Sequence, residues 1–179
     1  MRILLQRVSR ASVAVRGELV SRIGPGLLLF VGVGKDDGFG EYDRLAEKVF
    51  HLRVFEDEQG KMNRSLSEIG GEVLVVPQFT LYGDVRKGRR PSWDGAAPPE
   101  IAEDRVEAFA KALENSRVWA HPHLPALRSE EVPRIFSGVY GLGSRDFRPE
   151  GILGALDFAR GRSARQDGKR ATDGASFFY

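Results

Sequence analysis

At the end of the apolar run Val73-Leu74-Val75-Val76, and after Pro77, an amide and a hydroxyl stand on either side of an aromatic in Gln78-Phe79-Thr80. A threonine hydroxyl attacks a carbonyl near neutral pH only if a base takes its proton. The nearest candidate base, Asp84, lies beyond the glycine turn at Gly83, and no cysteine or nearby histidine completes a nucleophile–base pair. Thr80 therefore reads first as a β-former at a strand end. What such a strand end offers chemistry is backbone N–H groups aimed at a developing oxyanion, a device that suits ester cleavage and needs no particular side chain. Directly downstream, Arg86, Lys87, Arg89 and Arg90 put four cations into five positions. The cluster is read equally as a solvated loop and as a contact for an anionic polymer; polar groups beside it at a rigid strand end point to the second.

Composition narrows the field. The chain has 179 residues, no cysteine and three histidines, so disulfides, thiol catalysis and thiolate metal sites are excluded. His51, His121 and His123 make a poor metal set, the last two flanking a proline in what reads as a solvated loop. The formal net charge is +2, and that surplus falls in residues 127–179, leaving the main body balanced. A pI near 9.0 is then no sign of nucleic-acid binding by itself; only the local cluster is. No apolar run reaches the roughly 20 residues of a membrane span, and the N-terminus turns charged too early for a signal peptide, so a cytoplasmic protein without membrane partners is expected.

The elements that must position these groups follow from periodicity. Ile3–Val8, Ala11–Val15 and Leu19–Ile23 read as a strand meander, and Leu27–Val33 and Val73–Val76 as two strands buried on both faces and central to the fold. Helical spacing of Tyr42, Leu45, Ala46, Val49 and Leu52 predicts an amphipathic helix from Glu41 to about Phe55, followed by a turn and a loop through Lys61–Leu66. Ala102, Val106, Phe109, Ala110 and Leu113 predict a second helix after the prolines at 98 and 99. The expected class is α+β, mostly antiparallel sheet with two packed helices. A domain over 1–118, a proline-spaced linker over 119–126 and a separate tail over 127–179 complete the outline. Within the tail, Ile152–Phe158 reads as a short helix, Arg160–Asp173 as mobile, and Ser176-Phe177-Phe178-Tyr179 as aromatics with nothing after them to pair with.

Residues 1 to about 115 resemble the D-aminoacyl-tRNA deacylases. The resemblance is carried by Gln6-Arg7-Val8 with Ala11-Ser12-Val13, Ile23-Gly24-Pro25-Gly26-Leu27-Leu28, Gly60-Lys61-Met62-Asn63, Gln78-Phe79-Thr80-Leu81, and Lys87-Gly88-Arg89-Arg90-Pro91-Ser92. It implies a homodimeric enzyme, without metal or organic cofactor, that hydrolyses the ester joining a D-amino acid, or mischarged glycine, to tRNA. On that basis Gln78, Phe79 and Thr80 are the candidate catalytic residues, acting through backbone groups with help from the terminal ribose hydroxyl. Arg7, Arg86, Lys87, Arg89 and Arg90 are the candidate tRNA contacts. The family's Ser-Gln-Phe-Thr element matches Pro77-Gln78-Phe79-Thr80, with proline, which has no N–H, where the serine stands.

The tail departs from that family. Its Asn-x-Gly-Pro-Val-Thr element, whose cis Gly-Pro enters the partner's active site and rejects L-amino acids, has no counterpart, the one Gly-Pro being Gly24-Pro25 in an early turn. From Leu127 onward the sequence is similar to an internal piece of the 2-oxoacid:acceptor oxidoreductases of the pyruvate:ferredoxin type. Tyr140-Gly141-Leu142-Gly143-Ser144-Arg145-Asp146-Phe147 and Asp173-Gly174-Ala175-Ser176-Phe177-Phe178 carry this. It points to a gene fusion or a truncated reading frame. Three readings stand in order: an active deacylase, an inactive or tRNA-binding remnant, and an oxidoreductase fragment.

Overall fold

The computed structural model describes residues 1–38, 40–120 and 175–178. In chain order the elements are β1 (Arg2–Val8), β2 (Ala11–Val15), β3 (Glu18–Ile23), β4 (Gly26–Gly32), α1 (Tyr42–His51), β5 (Phe55–Glu56), β6 (Met62–Arg64), α2 (Leu66–Ile69), β7 (Glu72–Pro77), a 3-10 turn over Phe79–Tyr82, α3 (Pro99–Ala120) and β8 (Ala175–Phe178).

The two apolar runs explain the architecture. β4 is the middle strand of the sheet β1-β4-β7, and both of its faces are covered. Leu27, Leu29, Val31, Val73 and Val75 pack with Ala46, Val49, Phe50, Val106, Phe109 and Leu113 of α1 and α3. The alternate residues Leu28, Phe30, Leu74 and Val76 pack instead against Ala11, Val13 and Val20 of the second sheet, ordered β3-β2-β8. A strand covered on both sides has no position left for a polar side chain, and each apolar side chain it buries contributes about 1.5–3 kcal/mol.

The α+β class holds, with antiparallel pairs β1–β4, β2–β3 and β5–β6. The central pair β4–β7 is parallel, its crossover passing through α1. Parallel neighbours need such a crossover and are buried on both faces, as these two strands are.

Three local expectations are corrected. α1 stops at His51 rather than near Phe55, because Leu52 turns extended (ψ 119°) and Phe55–Glu56 pairs with Met62–Arg64. Arg53 reinforces that turn through its Nε, which donates to the Asn63 carbonyl at 2.7 Å. The expected loop over Lys61–Leu66 holds β6 and then α2, whose Ser65 and Glu68 form a reciprocal capping box. Finally, α3 carries Trp119 and Ala120, which the sequence assigns to a linker. Residues 121–126 and the predicted helix and mobile stretch of the tail lie outside the described residues. Ala175–Phe178 do find a partner, in an earlier strand: they pair in parallel with Ala11–Ala14 of β2.

Candidate active site

β7 ends at Pro77, and the parity of the ladder shows why proline is tolerated there. Glu72 donates its N–H to the Pro25 carbonyl at 3.0 Å and Gln78 to the Val31 carbonyl at 2.7 Å, so even-numbered residues face β4 and odd-numbered ones face the outer edge. Pro77 therefore lacks an N–H on the side where no ladder bond is made among the described residues. The chain beyond is not a continued strand. Gln78 is extended (φ −148°, ψ 87°), and Phe79–Tyr82 closes into a 3-10 turn, with Leu81 donating to the Gln78 carbonyl at 3.3 Å and Gly83 to the Thr80 carbonyl at 3.0 Å. Thr80 thus sits in a turn, not at the strand end the sequence predicts.

The turn brings Gln78 and Thr80 together. Gln78 donates from Nε2 to Thr80 Oγ1, so the hydroxyl receives a proton donor instead of facing a base. The N–H of Thr80, in the first turn, is used by none of the hydrogen bonds among the described residues. Phe79 packs edge-on against Trp93, with ring centroids 6.0 Å apart. Gln78, Phe79 and Thr80 are all half-buried, each keeping part of its surface exposed to solvent.

Asp84 does not serve the hydroxyl. Its carboxylate is gripped by Arg86 through Nε at 2.9 Å and Nη2 at 2.6 Å, and also accepts the Arg86 N–H. The side-chain hydrogen bonds of Arg86, then its N–H, pull the Asp84 carboxyl down to about 2, too acidic to act as a base. The same pairing takes Arg86 out of the basic cluster. Lys87, Arg89 and Arg90 remain exposed and enter no ion pair among the described residues. The loop that holds them is tied at its base, where Asp84 and Ser92 exchange backbone hydrogen bonds of 2.7 and 2.9 Å.

Arg7 lies apart from these groups within the chain. It stands opposite Leu27, whereas the turn folds over Gly32, which faces Arg2 across the ladder. Five steps along the strand separate Arg7 from Arg2, about 17 Å. Arg7 is 3.9 Å from Glu56 in an exposed pair.

What sequence reasoning missed is the support beneath the turn. Arg2 donates from Nη1 to the Leu81 carbonyl at 2.8 Å and lays its guanidinium over the Tyr82 ring, 4.3 Å from the centroid. Tyr82 donates to Asp37 Oδ2 at 3.0 Å, and the same oxygen accepts the Gly34 N–H at 2.6 Å and lies 2.5 Å from the Met1 amino group. Tyr82 can lie flat there only because Gly34 lacks a side chain, since a Cβ would meet the ring at 2.7 to 2.9 Å. Burial first, and then the bond to Asp37, push the Tyr82 hydroxyl up to about 12. Burial raises the Asp37 carboxyl, but the Met1 amino group, the Gly34 N–H and Tyr82 outweigh it and leave it below its usual value.

A cavity of about 170 Å³ lined by Met1, Asp37, Glu41, Tyr42 and Arg105 lies on the far side of Asp37 and does not include Gln78, Phe79 or Thr80. Among the described residues no three His, Cys, Asp or Glu side chains are grouped as metal ligands, and no helix is long and apolar enough to cross a membrane.

Known proteins resemble the chain in sequence and in fold. The chain is 61% identical over 113 residues to a D-aminoacyl-tRNA deacylase of Heliobacterium modesticaldum, covering 63% of this chain and 75% of that protein. It is 63% identical over 113 residues to one of Thermomicrobium roseum, covering 63% and 73%. Among solved structures, the c-Myc DNA unwinding element binding protein superposes with a TM-score of 0.61 at 39% identity over 70% of this chain and 83% of that one. A probable eukaryotic D-amino acid tRNA deacylase shares the fold, with a TM-score of 0.53 at 20% identity. The family described as D-Tyr-tRNA(Tyr) deacylase matches residues 4–140, a range that takes in the whole turn and the basic loop and runs past Leu127, where the sequence alone suggests an oxidoreductase-like segment that none of these comparisons supports. The chain belongs to the D-Tyr-tRNA(Tyr) deacylase family.

Proposed function

We propose that this protein hydrolyses the ester between a D-amino acid and the terminal ribose of tRNA, releasing both. The observation that carries this reading is membership of the deacylase family over a range that includes every candidate site residue. Water attacks the ester carbonyl, negative charge develops on its oxygen, and the ribose oxygen leaves. The turn supports such a step without a protein nucleophile: the Thr80 N–H is a donor for the oxyanion, and the Gln78 to Thr80 hydrogen bond fixes the backbone that carries it. A ribose hydroxyl of the substrate assists, which agrees with a Thr80 that faces no base and an Asp84 held ionised by Arg86. The test is release of D-tyrosine from D-Tyr-tRNA by the purified chain; a rate equal to that of the uncatalysed ester overturns the reading. The same test separates it from an inactive or tRNA-binding remnant, the second reading. An oxidoreductase role has no support in these relatives.

The finer parts of the proposal are a homodimer, action on glycine mischarged onto tRNA, and no metal requirement. Lys87, Arg89 and Arg90 contact phosphates near the acceptor end. Replacing two of these three by alanine is expected to reduce the slope of log K against log salt by about one unit per lost contact. Arg86→Ala is expected to leave the slope nearly unchanged, because its charge is already balanced by Asp84. Salt titrations of tRNA binding check both, and equal slopes for wild type and the double variant would return the loop to a solvated surface.

A further inference from the structure

Past Pro77 the chain leaves the ladder, and among the described residues only the Gln78 N–H to Val31 carbonyl bond still ties its backbone to β4. A 3-10 turn of four residues is not rigid by itself, since its hydrogen bonds are few and poorly aligned. The segment is held from outside by two side chains, Arg2 and Asp37, over a floor that two glycines leave clear. Arg2, at the start of β1, takes the Leu81 carbonyl and caps the face of the Tyr82 ring. Gly32 and Gly34 leave the floor empty beneath it: a Cβ on Gly32 would stand 2.9 Å from the Gln78 carbonyl oxygen and 3.1 Å from Leu81 Cβ. Asp37 takes the Tyr82 hydroxyl with an oxygen that is itself fixed by the Gly34 N–H.

We propose that Arg2, Asp37 and Tyr82 are positioning residues for the deacylation, clamping the Gln78–Tyr82 turn so that its backbone donors point at the ester carbonyl. The inference rests on the deacylase reading above. None of the three touches the substrate; they act through the turn. Both ends of the Tyr82–Asp37 bond keep the required protonation around neutrality, the phenol being pushed up to about 12 and the carboxyl held below its usual range. Arg2 contributes twice, by a charge-assisted bond to a carbonyl and by a cation over a ring face. Because oxyanion donors act only where the transition-state oxygen will be, loosening the turn costs the chemical step more than it costs tRNA binding.

The test is steady-state deacylation of D-Tyr-tRNA by the full chain and by Tyr82→Phe, Asp37→Asn, Arg2→Ala and Arg2→Lys. Tyr82→Phe keeps the ring over Gly34 and removes one hydrogen bond, and kcat is expected to fall about tenfold with KM within about twofold. Arg2→Ala is expected to lower kcat similarly, and Arg2→Lys to recover a large part of it, since an ammonium can still reach the carbonyl and the ring. Thermal melts establish that Tyr82→Phe and Arg2→Lys are folded at the assay temperature. Wild-type kcat in Tyr82→Phe, or a rise in KM with unchanged kcat, overturns the proposal while leaving the deacylase reading intact. A wild-type chain without activity overturns both.

Discussion

Gly26→Ala is expected to destabilise the protein by at least about 3 kcal/mol, a large fraction of the stability of an ordinary domain. A Cβ at this position would stand 1.9 Å from the Glu72 carbonyl oxygen and 2.6 Å from its nitrogen, so the obstacle is backbone rather than a movable side chain. Glu72 cannot yield. Its N–H is bound to the Pro25 carbonyl at 3.0 Å, and its carboxylate takes the Gly24 N–H. The substitution must therefore wedge β4 from β7 where the register begins, at Gly26 opposite Glu72. Urea denaturation measures the loss, with Gly38→Ala, whose Cβ would meet nothing within 4 Å, as the control expected to stay within about 0.5 kcal/mol. A Gly26→Ala protein as stable as that control would refute the β4–β7 pairing.

That contact also marks how far the fold could be read from residues alone. The runs at 27–33 and 73–76 declare themselves as buried strands because neither face is solvated, and α3 declares itself through its apolar stripe and opening prolines. Their parallel pairing is a relation between segments some forty residues apart in the chain, and no local pattern encodes it. The overlong α1 has a different cause. Leu52 continues the helical period, but the pairing of Phe55–Glu56 with β6 ends the helix first. α2 did carry a local signal, the Ser65-x-x-Glu68 box, too short a segment to register as periodic. At the site, Gln78 and Thr80 were legible because they are adjacent in sequence, whereas Arg2, Asp37 and Tyr82 meet only through folding.

The second large effect concerns chirality. The protein is expected to hydrolyse D-Tyr-tRNA and L-Tyr-tRNA at rates within about tenfold of one another. Steric exclusion is supplied by a group that occupies the forbidden space, and it disappears with that group. The one Gly-Pro in the chain is Gly24-Pro25. It is committed elsewhere, in the turn from β3 to β4, with the Gly24 N–H on the Glu72 carboxylate and the Pro25 carbonyl on the Glu72 N–H. Parallel time courses with the two charged tRNAs decide the matter. Strong D-selectivity would show that another segment fills the space, and residues 121–174 would be the first to replace.

Pro77 carries a consequence for how this molecule meets its neighbours. A strand laid along the edge of β7 that no described strand pairs could exchange hydrogen bonds with Val73 and Val75, and at Pro77 it would find no donor. Growth of the sheet by templated addition therefore has a built-in stop within two pairing residues, too few to hold a guest strand. Serine in place of Pro77 would lengthen the receptive edge by one step, so the exchange of one residue type alters aggregation behaviour while leaving the β4–β7 ladder untouched.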